Sequence, residues 1–256
     1  MAFIQRPGAH LYWKHDGRDD APALVLLNSI GTDMDLWDAL LPRLRERFAL
    51  LRIDARGHGA SSAEPGDYRM AMLADDVLAV ADAAGFDLFS IAGVSLGGMI
   101  GMELALRAPA RVEKLIPICT SATMDAASWN DRIAKVRGEG MAAIADMAMG
   151  RFLSDAAEPA IYDAVRRQLL TMDAQGYAGC GAAIRDMDLA DRIGGIACPT
   201  LIVTGTRDMS TPFAGHGDYL LAHIPGAAHI ALEAAHLAPL EAPDALADAI
   251  LSFLER

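Results

Sequence analysis

The 256-residue chain is poor in cysteine, in basic residues and in long uninterrupted hydrophobic runs. Its three cysteines, Cys119, Cys180 and Cys198, match neither a zinc-ligand spacing nor a disulfide framework, so we expect no metal and a reducing, cytoplasmic compartment. With 22 Lys and Arg against 34 Asp and Glu, the formal charge is −12. This charge argues against a nucleic-acid partner and against an anionic membrane surface. An anionic substrate would need a local basic group.

The most apolar stretch, residues 88–108, does not resemble a membrane span. It contains Glu103, Arg107 and four glycines, and it is too short and too polar to cross a bilayer. The glycines at its centre indicate a tight turn instead. The first residues also lack the apolar core of a signal peptide, so we expect a soluble protein.

Short apolar runs alternate with helical periodicity from about residue 20 to residue 118, and the alternation resumes near residue 199. The runs predicted as strands are residues 23–27, 49–53, 89–93, 112–119, 199–205 and 228–232. Apolar positions at helical spacing lie in residues 36–44, 70–84, 96–108 and 246–254. This alternation predicts parallel βαβ units, and so an α/β fold whose mostly parallel sheet has helices on both faces.

The alternation breaks between about residues 120 and 197, where helical patches replace strands. These patches are residues 133–137, 141–152, 159–171 and 177–185. We therefore expect residues 1–119 and 197–256 to form the core. Residues 120–196 are expected to be an inserted helical lid rather than an independent domain.

The strongest chemical signal is the string from Gly93 to Gly98, which has the pattern G-x-S-x-G around Ser95. It lies where a predicted strand ends and a predicted helix begins. A sharp turn of this kind exposes the serine hydroxyl at the edge of the sheet, as a nucleophile requires. A glycine-rich structural turn is the alternative interpretation.

A serine nucleophile needs a histidine base and an acid that fixes the tautomer of that base. Asp208 follows the predicted strand 199–205, and His236 follows the predicted strand 228–232. Both therefore lie at the same edge of the sheet as Ser95. Other candidates fit less well, because they lie in a strand, in a surface helix or loop, or upstream of the relevant strand: His216, His223, His229, Asp188 and Asp191.

An oxyanion hole needs two N–H donors. The backbone N–H of Leu96, directly after the serine, is the first candidate. The second is expected in the loop after strand 23–27, where we favour Ile30, with Ser29 as its neighbouring alternative. In the glycine-rich loop after strand 49–53, structural roles are favoured for Arg56 and His58.

With these residues in place, the chain resembles the α/β-hydrolase superfamily, and most of all the bacterial 3-oxoadipate enol-lactonases. The similar strings span most of the chain: residues 28–33, 54–62, 94–101, 128–133 and 176–189. The resemblance implies a cofactor-free serine hydrolase that opens an enol-lactone in aromatic-compound degradation. Because such a substrate carries a carboxylate, we expect Arg132 to bind it, with Trp129 as an apolar wall and Ser29 as a further substrate contact.

Other functions fit the same residues. A general carboxylesterase or a cofactor-free perhydrolase or haloperoxidase would use the same serine, histidine and aspartate. A small-molecule receptor with little turnover would also retain them. The sequence leaves the preferred lactone or ester and homo-oligomerisation open.

Overall fold

The computed structural model describes residues 2–256, in which eight strands form one sheet and helices surround it. The strands are β1 (Ala2–Arg6), β2 (Ala9–Gly17), β3 (Ala23–Leu27), β4 (Ala49–Ile53), β5 (Phe89–Val94), β6 (Val112–Ile118), β7 (Leu201–Gly205) and β8 (Ala228–Leu232). The α-helices are α1 (Leu41–Leu44), α2 (Met70–Ala84), α3 (Leu96–Arg107), α4 (Ala126–Glu139), α5 (Ala145–Phe152), α6 (Pro159–Thr171), α7 (Ala174–Asp186), α8 (Asp218–His223), α9 (Ala238–Glu241) and α10 (Pro243–Leu254).

The sheet is mostly parallel, with the strand order β1-β2-β4-β3-β5-β6-β7-β8. The strands from β4 across to β8 run parallel to one another, whereas β2 is antiparallel to both β1 and β4. Every residue of β4 and β5 is buried, as expected for strands with both faces covered. The predicted α/β fold is confirmed.

The N-terminal hairpin is an element that the sequence analysis does not predict. Strands β1 and β2 pair from Ala2 opposite Trp13 to Arg6 opposite Ala9, and Gly8 takes a φ of +69° in the turn between them. Burial alternates along β1. This alternation of half-buried and exposed positions carries a weaker hydrophobic signal than the buried parallel strands do.

The stripe of Leu36, Leu40 and Leu44 does not lie on a single helix. A 3₁₀ turn covers Met34–Trp37, and the single-turn α1 follows it. All three leucines are nevertheless buried, so the stripe identifies core positions correctly although the backbone is broken between them.

The chain between β6 and β7 contains α4 to α7; we call residues 120–196 the helical segment. Its helix α7 approaches the core very closely, because a Cβ added at Gly57 would lie 2.3 Å from the Cα of Gly176. The N–H of Tyr68 also donates to the carbonyl of Gly179 at 3.1 Å. The backbone of the first half of α7 therefore packs directly against the backbone of the core. That the helical segment acts as a lid stays a prediction.

None of the helices in residues 2–256 could span a membrane. The longest of them, α2, has 15 residues. A crossing of the hydrocarbon core needs about 20.

Two glycines allow α3 to pack directly on the central strands. A Cβ added at Gly97 would lie 2.4 Å from the carbonyl oxygen of Leu27 in β3, and one added at Gly93 would lie 2.3 Å from the carbonyl of Gly97. Real side chains do not tolerate such distances. Residue 97 therefore has to be glycine for α3 to begin where it does.

Replacing Gly97 by alanine should lower the free energy of unfolding by about 3 kcal/mol, because the neighbouring backbone must move. Gly138→Ala in α4 is a matched control, since a Cβ at position 138 meets no atom within 4 Å. That control should raise stability by about 0.5–1 kcal/mol through helix propensity. Urea unfolding measures both changes, and similar values for the two variants would contradict the steric argument.

Candidate active site

Ser95 occupies a strained turn between β5 and α3. Its φ of 53° and ψ of −113° lie outside the conformations that non-glycine residues usually adopt. Three hydrogen bonds hold the residue there. Its N–H donates to the carbonyl of Ile118 at 2.9 Å, and its own carbonyl accepts from Thr120 Oγ1 at 2.7 Å and from the N–H of Met99 at 3.0 Å. The turn is therefore fixed from both sides.

His236 and Asp208 are directly hydrogen-bonded. His236 Nδ1 lies 3.0 Å from Oδ2 and 3.1 Å from Oδ1 of Asp208, and both residues are buried. Because a carboxylate accepts the bond, Nδ1 carries the proton, and Nε2 of a neutral ring is left free to take one. The structure therefore brings together the two side chains that the sequence analysis proposes as base and orienting acid.

Asp208 stays ionised in spite of its burial. Burial would raise the pKa of its carboxyl, but the charge and hydrogen bond of His236, together with the N–H groups of Thr211 and Ser210, lower it to about 2. The amide of Ser210 lies 2.7 Å away, and Thr211 donates both its N–H and its hydroxyl. The carboxylate can thus stabilise a positive charge that develops on His236.

Ser95 and His236 line one cavity of about 360 Å³. Of the residues proposed from the sequence, Ile30, Trp129 and Arg132 also line it. Its other lining residues are Met124, Asp125, Ser128, Arg151, Phe152, Met209, Ser210, Pro212 and His216. The cavity therefore lies between the carboxyl edge of the sheet and the helical segment.

Both predicted oxyanion donors belong to segments next to Ser95: Leu96 directly follows it, and Ile30 lines the same cavity. Leu96 begins α3, so its N–H has no partner in the preceding turn of helix. Neither Leu96 nor Ile30 donates its N–H to an acceptor within residues 2–256. Ser29, the alternative, is buried away from the cavity wall, and its hydroxyl lies 3.3 Å from the carbonyl of Ile30. The structure thus favours Ile30 over Ser29 as the second donor.

His58 supports the loop that carries Ile30. Its Nδ1 lies 2.9 Å from the carbonyl of Arg56, so that nitrogen donates, and Nε2 accepts the N–H of Gly31 at 3.1 Å. Burial lowers the pKa of His58, which keeps the ring neutral and able to accept. Arg56 forms a buried ion pair with Asp76. Both residues make the structural contacts that the sequence analysis favours.

His216 lies in a different place from the one the sequence indicates. It is half-buried in the cavity wall, and its Nδ1 lies 2.8 Å from the hydroxyl of Ser121. The interpretation of His216 as a surface histidine is therefore wrong. Burial lowers its pKa, so the ring is mostly neutral at pH 7. Its neighbours in sequence carry no signal of this position, because an irregular turn at Phe213–Gly217 brings the ring inward.

Two arginines face the cavity without a carboxylate partner. The guanidinium of Arg132 lies 4.6 Å from the ring centre of Trp129, and its Nη2 lies 2.8 Å from the sulfur of Met147. Within residues 2–256, no carboxylate lies within 4.0 Å of Arg132 or Arg151. The sequence analysis misses Arg151, because only the packing of α5 beside α4 brings it to the same wall.

One acid lies in this wall, and one buried hydroxyl lies behind it. Asp125 lines the cavity, but its carboxylate accepts the N–H groups of Ala127 and Ser128 at the start of α4. The hydroxyl of Tyr177 is fully buried close to the guanidinium of Arg132. Burial raises the pKa of Tyr177, while the charges of Arg132 and Arg151 act in the opposite direction. The wall therefore carries an excess of positive charge.

Residues 2–256 hold no group of three or more His, Cys, Asp or Glu side chains that could bind a metal ion.

The chain is similar to proteins of known family over most of its length. A family model described as the alpha/beta hydrolase fold matches residues 22–173. The chain is 32% identical to 3-oxoadipate enol-lactonase 2 of Acinetobacter baylyi over 246 residues, which cover 94% of this chain and 91% of that protein. It is 33% identical to a pimeloyl-acyl-carrier-protein methyl ester esterase of Neisseria meningitidis over 258 residues, with coverages of 93% and 95%.

Two solved structures superimpose on nearly the whole chain. A hydrolase from Pseudomonas aeruginosa gives a TM-score of 0.95 at 42% identity, covering all of this chain and 98% of that one. The enol-lactonase from Burkholderia xenovorans gives a TM-score of 0.96 at 33% identity, with both chains fully covered. The resemblance inferred from the motifs is confirmed.

The low pKa of Asp208 predicts a pH dependence of stability. The pKa of Asp208 is about 2 in the folded protein against an ordinary value of 3.8. As the pH falls, the carboxylate of Asp208 therefore binds a proton at a higher pH in the unfolded chain than in the folded protein. The stability contributed by the ionised carboxylate is present above the unfolded pKa and is lost as the pH falls toward 2. The stability advantage of the wild type over Asp208→Asn should shrink by about 2 kcal/mol between about pH 5 and pH 2. Urea unfolding at several pH values measures it, and a constant difference would contradict the assignment.

Proposed function

The chain belongs to the α/β-hydrolase family, and we propose that it is a serine hydrolase with Ser95 as nucleophile, His236 as base and Asp208 as the acid that orients the base. One observation carries this proposal. The hydroxyl-bearing residue in the strained turn and the histidine bonded to a buried carboxylate line the same cavity. The N–H groups of Ile30, which lines that cavity, and of Leu96, which directly follows Ser95, donate to no acceptor within residues 2–256.

The geometry supports acyl transfer in two steps. Nε2 of His236 takes the proton of Ser95 as the hydroxyl attacks an ester or lactone carbonyl. The N–H groups of Ile30 and Leu96 stabilise the oxyanion of the tetrahedral intermediate, where charge develops. The protonated histidine then gives its proton to the leaving oxygen. Water, deprotonated by His236, releases the acyl group from Ser95.

We propose 3-oxoadipate enol-lactone as the substrate and 3-oxoadipate as the product. The similarity to the Acinetobacter baylyi and Burkholderia xenovorans enol-lactonases over nearly the whole chain supports this choice. Opening such a ring expels an enolate, which is a better leaving group than an alkoxide. Ser95 attacks the lactone carbonyl of this substrate. The carboxylate that the substrate carries outside the ring needs a cation in the cavity wall.

The arginines of the cavity wall supply that cation. Arg132, with Trp129 beneath its guanidinium, is the proposed carboxylate ligand, and Arg151 adds a second positive charge to the same wall. Since the protein has a net charge of −12, attraction of an anionic substrate has to be local. Guanidinium groups match the geometry of a carboxylate.

An ester hydrolase acting on open-chain substrates is the second candidate. The relative from Neisseria meningitidis, whose name describes a methyl ester esterase, supports it. Both candidates use the same nucleophile and base, so they differ in the acyl group that the cavity accepts rather than in mechanism.

Purified protein should hydrolyse freshly prepared 3-oxoadipate enol-lactone, and Ser95→Ala should abolish the reaction. A loss of about 10⁴-fold or more in kcat is expected when the nucleophile is removed. A fluorophosphonate should label wild-type protein at one site, and Ser95→Ala should not react. These measurements use steady-state kinetics and intact-protein mass spectrometry.

Two results would overturn parts of this proposal separately. Turnover that survives in Ser95→Ala would exclude the nucleophile. Efficient hydrolysis of p-nitrophenyl acetate with no reaction on the enol-lactone would keep the nucleophile but exclude the substrate, and would favour the esterase.

The arginine wall predicts selectivity for anionic acyl groups. The ratio of kcat/KM for a mono-p-nitrophenyl ester of glutaric acid to that for p-nitrophenyl valerate should fall at least about tenfold in Arg132→Gln and in Arg151→Gln. Arg167→Gln is the matched control: Arg167 belongs to the same helical segment, has no carboxylate within 4.0 Å and does not line the cavity. An equal ratio in all four proteins would exclude the carboxylate subsite.

A further inference from the structure

One carboxylate outside the proposed catalytic residues joins two distant parts of the chain. Glu241, in α9, accepts the N–H of Ser154 at 2.7 Å and the hydroxyl of Ser154 at 2.8 Å through Oε1. Its Oε2 accepts the N–H of Ala235 at 2.5 Å. Ser154 follows the end of α5 in the helical segment, and Ala235 directly precedes His236. Glu241 therefore bridges the helical segment and the loop that carries the proposed base.

Two further contacts reinforce this junction on the other side of His236. The N–H of Leu237 donates to the carbonyl of Phe152 at 3.0 Å. The ring of Phe152 stacks on the imidazole, with ring centres 6.0 Å apart and planes inclined by 15°. The residues before and after His236 are thus both tied to the end of α5.

The same loop is held against β7. The N–H of Arg207 donates to the carbonyl of Ala234 at 3.0 Å, and a Cβ at Gly205 would lie 2.4 Å from that carbonyl oxygen. The loop therefore has one attachment to the strand that precedes Asp208 and another, through Glu241, to α5. The position of the imidazole is determined by both attachments.

We propose that Glu241 is a positioning residue for His236, which sets the direction of Nε2 toward Ser95 by fixing Ala235 to the end of α5. This inference rests on the proposed function, because Glu241 acts only through His236.

A carboxylate suits this position better than an amide. All three partners of Glu241 are donors, and a carboxylate offers acceptors only. Glutamine has the same shape but must turn its NH₂ group toward either Ser154 or Ala235. One N–H group at the junction would then face another donor and lose its hydrogen bond.

The test is Glu241→Gln in the full-length protein, with Glu233→Gln as the matched control. Glu233 lies in the same loop, its side chain is exposed, and it forms no ion pair within residues 2–256. Glu241→Gln should lower kcat about 10- to 100-fold with KM within about threefold of the wild type, because a displaced base slows proton transfer without removing substrate contacts. Glu233→Gln should match the wild type.

A spectroscopic readout separates positioning from a general loss of stability. The proton on His236 Nδ1, identified in the NMR spectrum by its loss in Asp208→Asn, should shift or broaden in Glu241→Gln and stay unchanged in Glu233→Gln. A folded Glu241→Gln protein with kcat within twofold of the wild type would overturn the proposal. A reduced kcat with an unchanged Nδ1 proton signal would overturn it as well.

A second variant covers the case in which Glu241→Gln does not fold, and the Nδ1 signal covers the case in which the proposed function fails. If Glu241→Gln does not fold, Ser154→Ala removes one donor from the junction, and an unchanged kcat and Nδ1 signal in that variant would overturn the proposal. If the wild type neither reacts with a fluorophosphonate nor turns over any ester, the proposed function fails. The Nδ1 signal still reports then whether Glu241 positions the imidazole.

Discussion

The close contact between α3 and the strand β3 is the constraint on which the site depends. Because Gly97 lets the start of the helix reach the carbonyl of Leu27, Ser95 is forced into a turn with a positive φ. The same contact brings the N–H of Gly97 to the carbonyl of Asn28 at 3.0 Å. The turn that holds Ser95 and the loop that holds Ile30 are therefore joined through their backbones, and the positive end of the helix lies at Ser95 in the cavity wall.

Most of the sheet and the order of the site residues could be predicted from the sequence, for a physical reason. Buried parallel strands are continuous apolar runs, and residues 23–27, 49–53 and 228–232 form strands with the predicted bounds. The carboxyl ends of parallel strands share one edge of the sheet. Residues that follow such strands are consequently brought together, whatever their separation along the chain.

The remaining features depend on contacts that no local pattern encodes. The β1–β2 hairpin lies at the edge of the sheet, where alternation is diluted by polar and exposed positions. The cavity wall depends on how α4 and α5 pack, so the approach of Arg151 to the site of Arg132 has no periodic signal. The inward position of His216 results from an irregular turn, and the bridge through Glu241 joins residues 87 positions apart.

The backbone contact of Gly57 with Gly176 has a mechanical consequence when it is combined with the anchoring of Ser154. The chain is held to the core at the end of α5 and again at the start of α7. The segment between these two points is attached to the core at both ends, and α6 forms its middle. Any movement of this stretch away from the core would therefore have to be an outward bowing of α6, because both of its ends are attached.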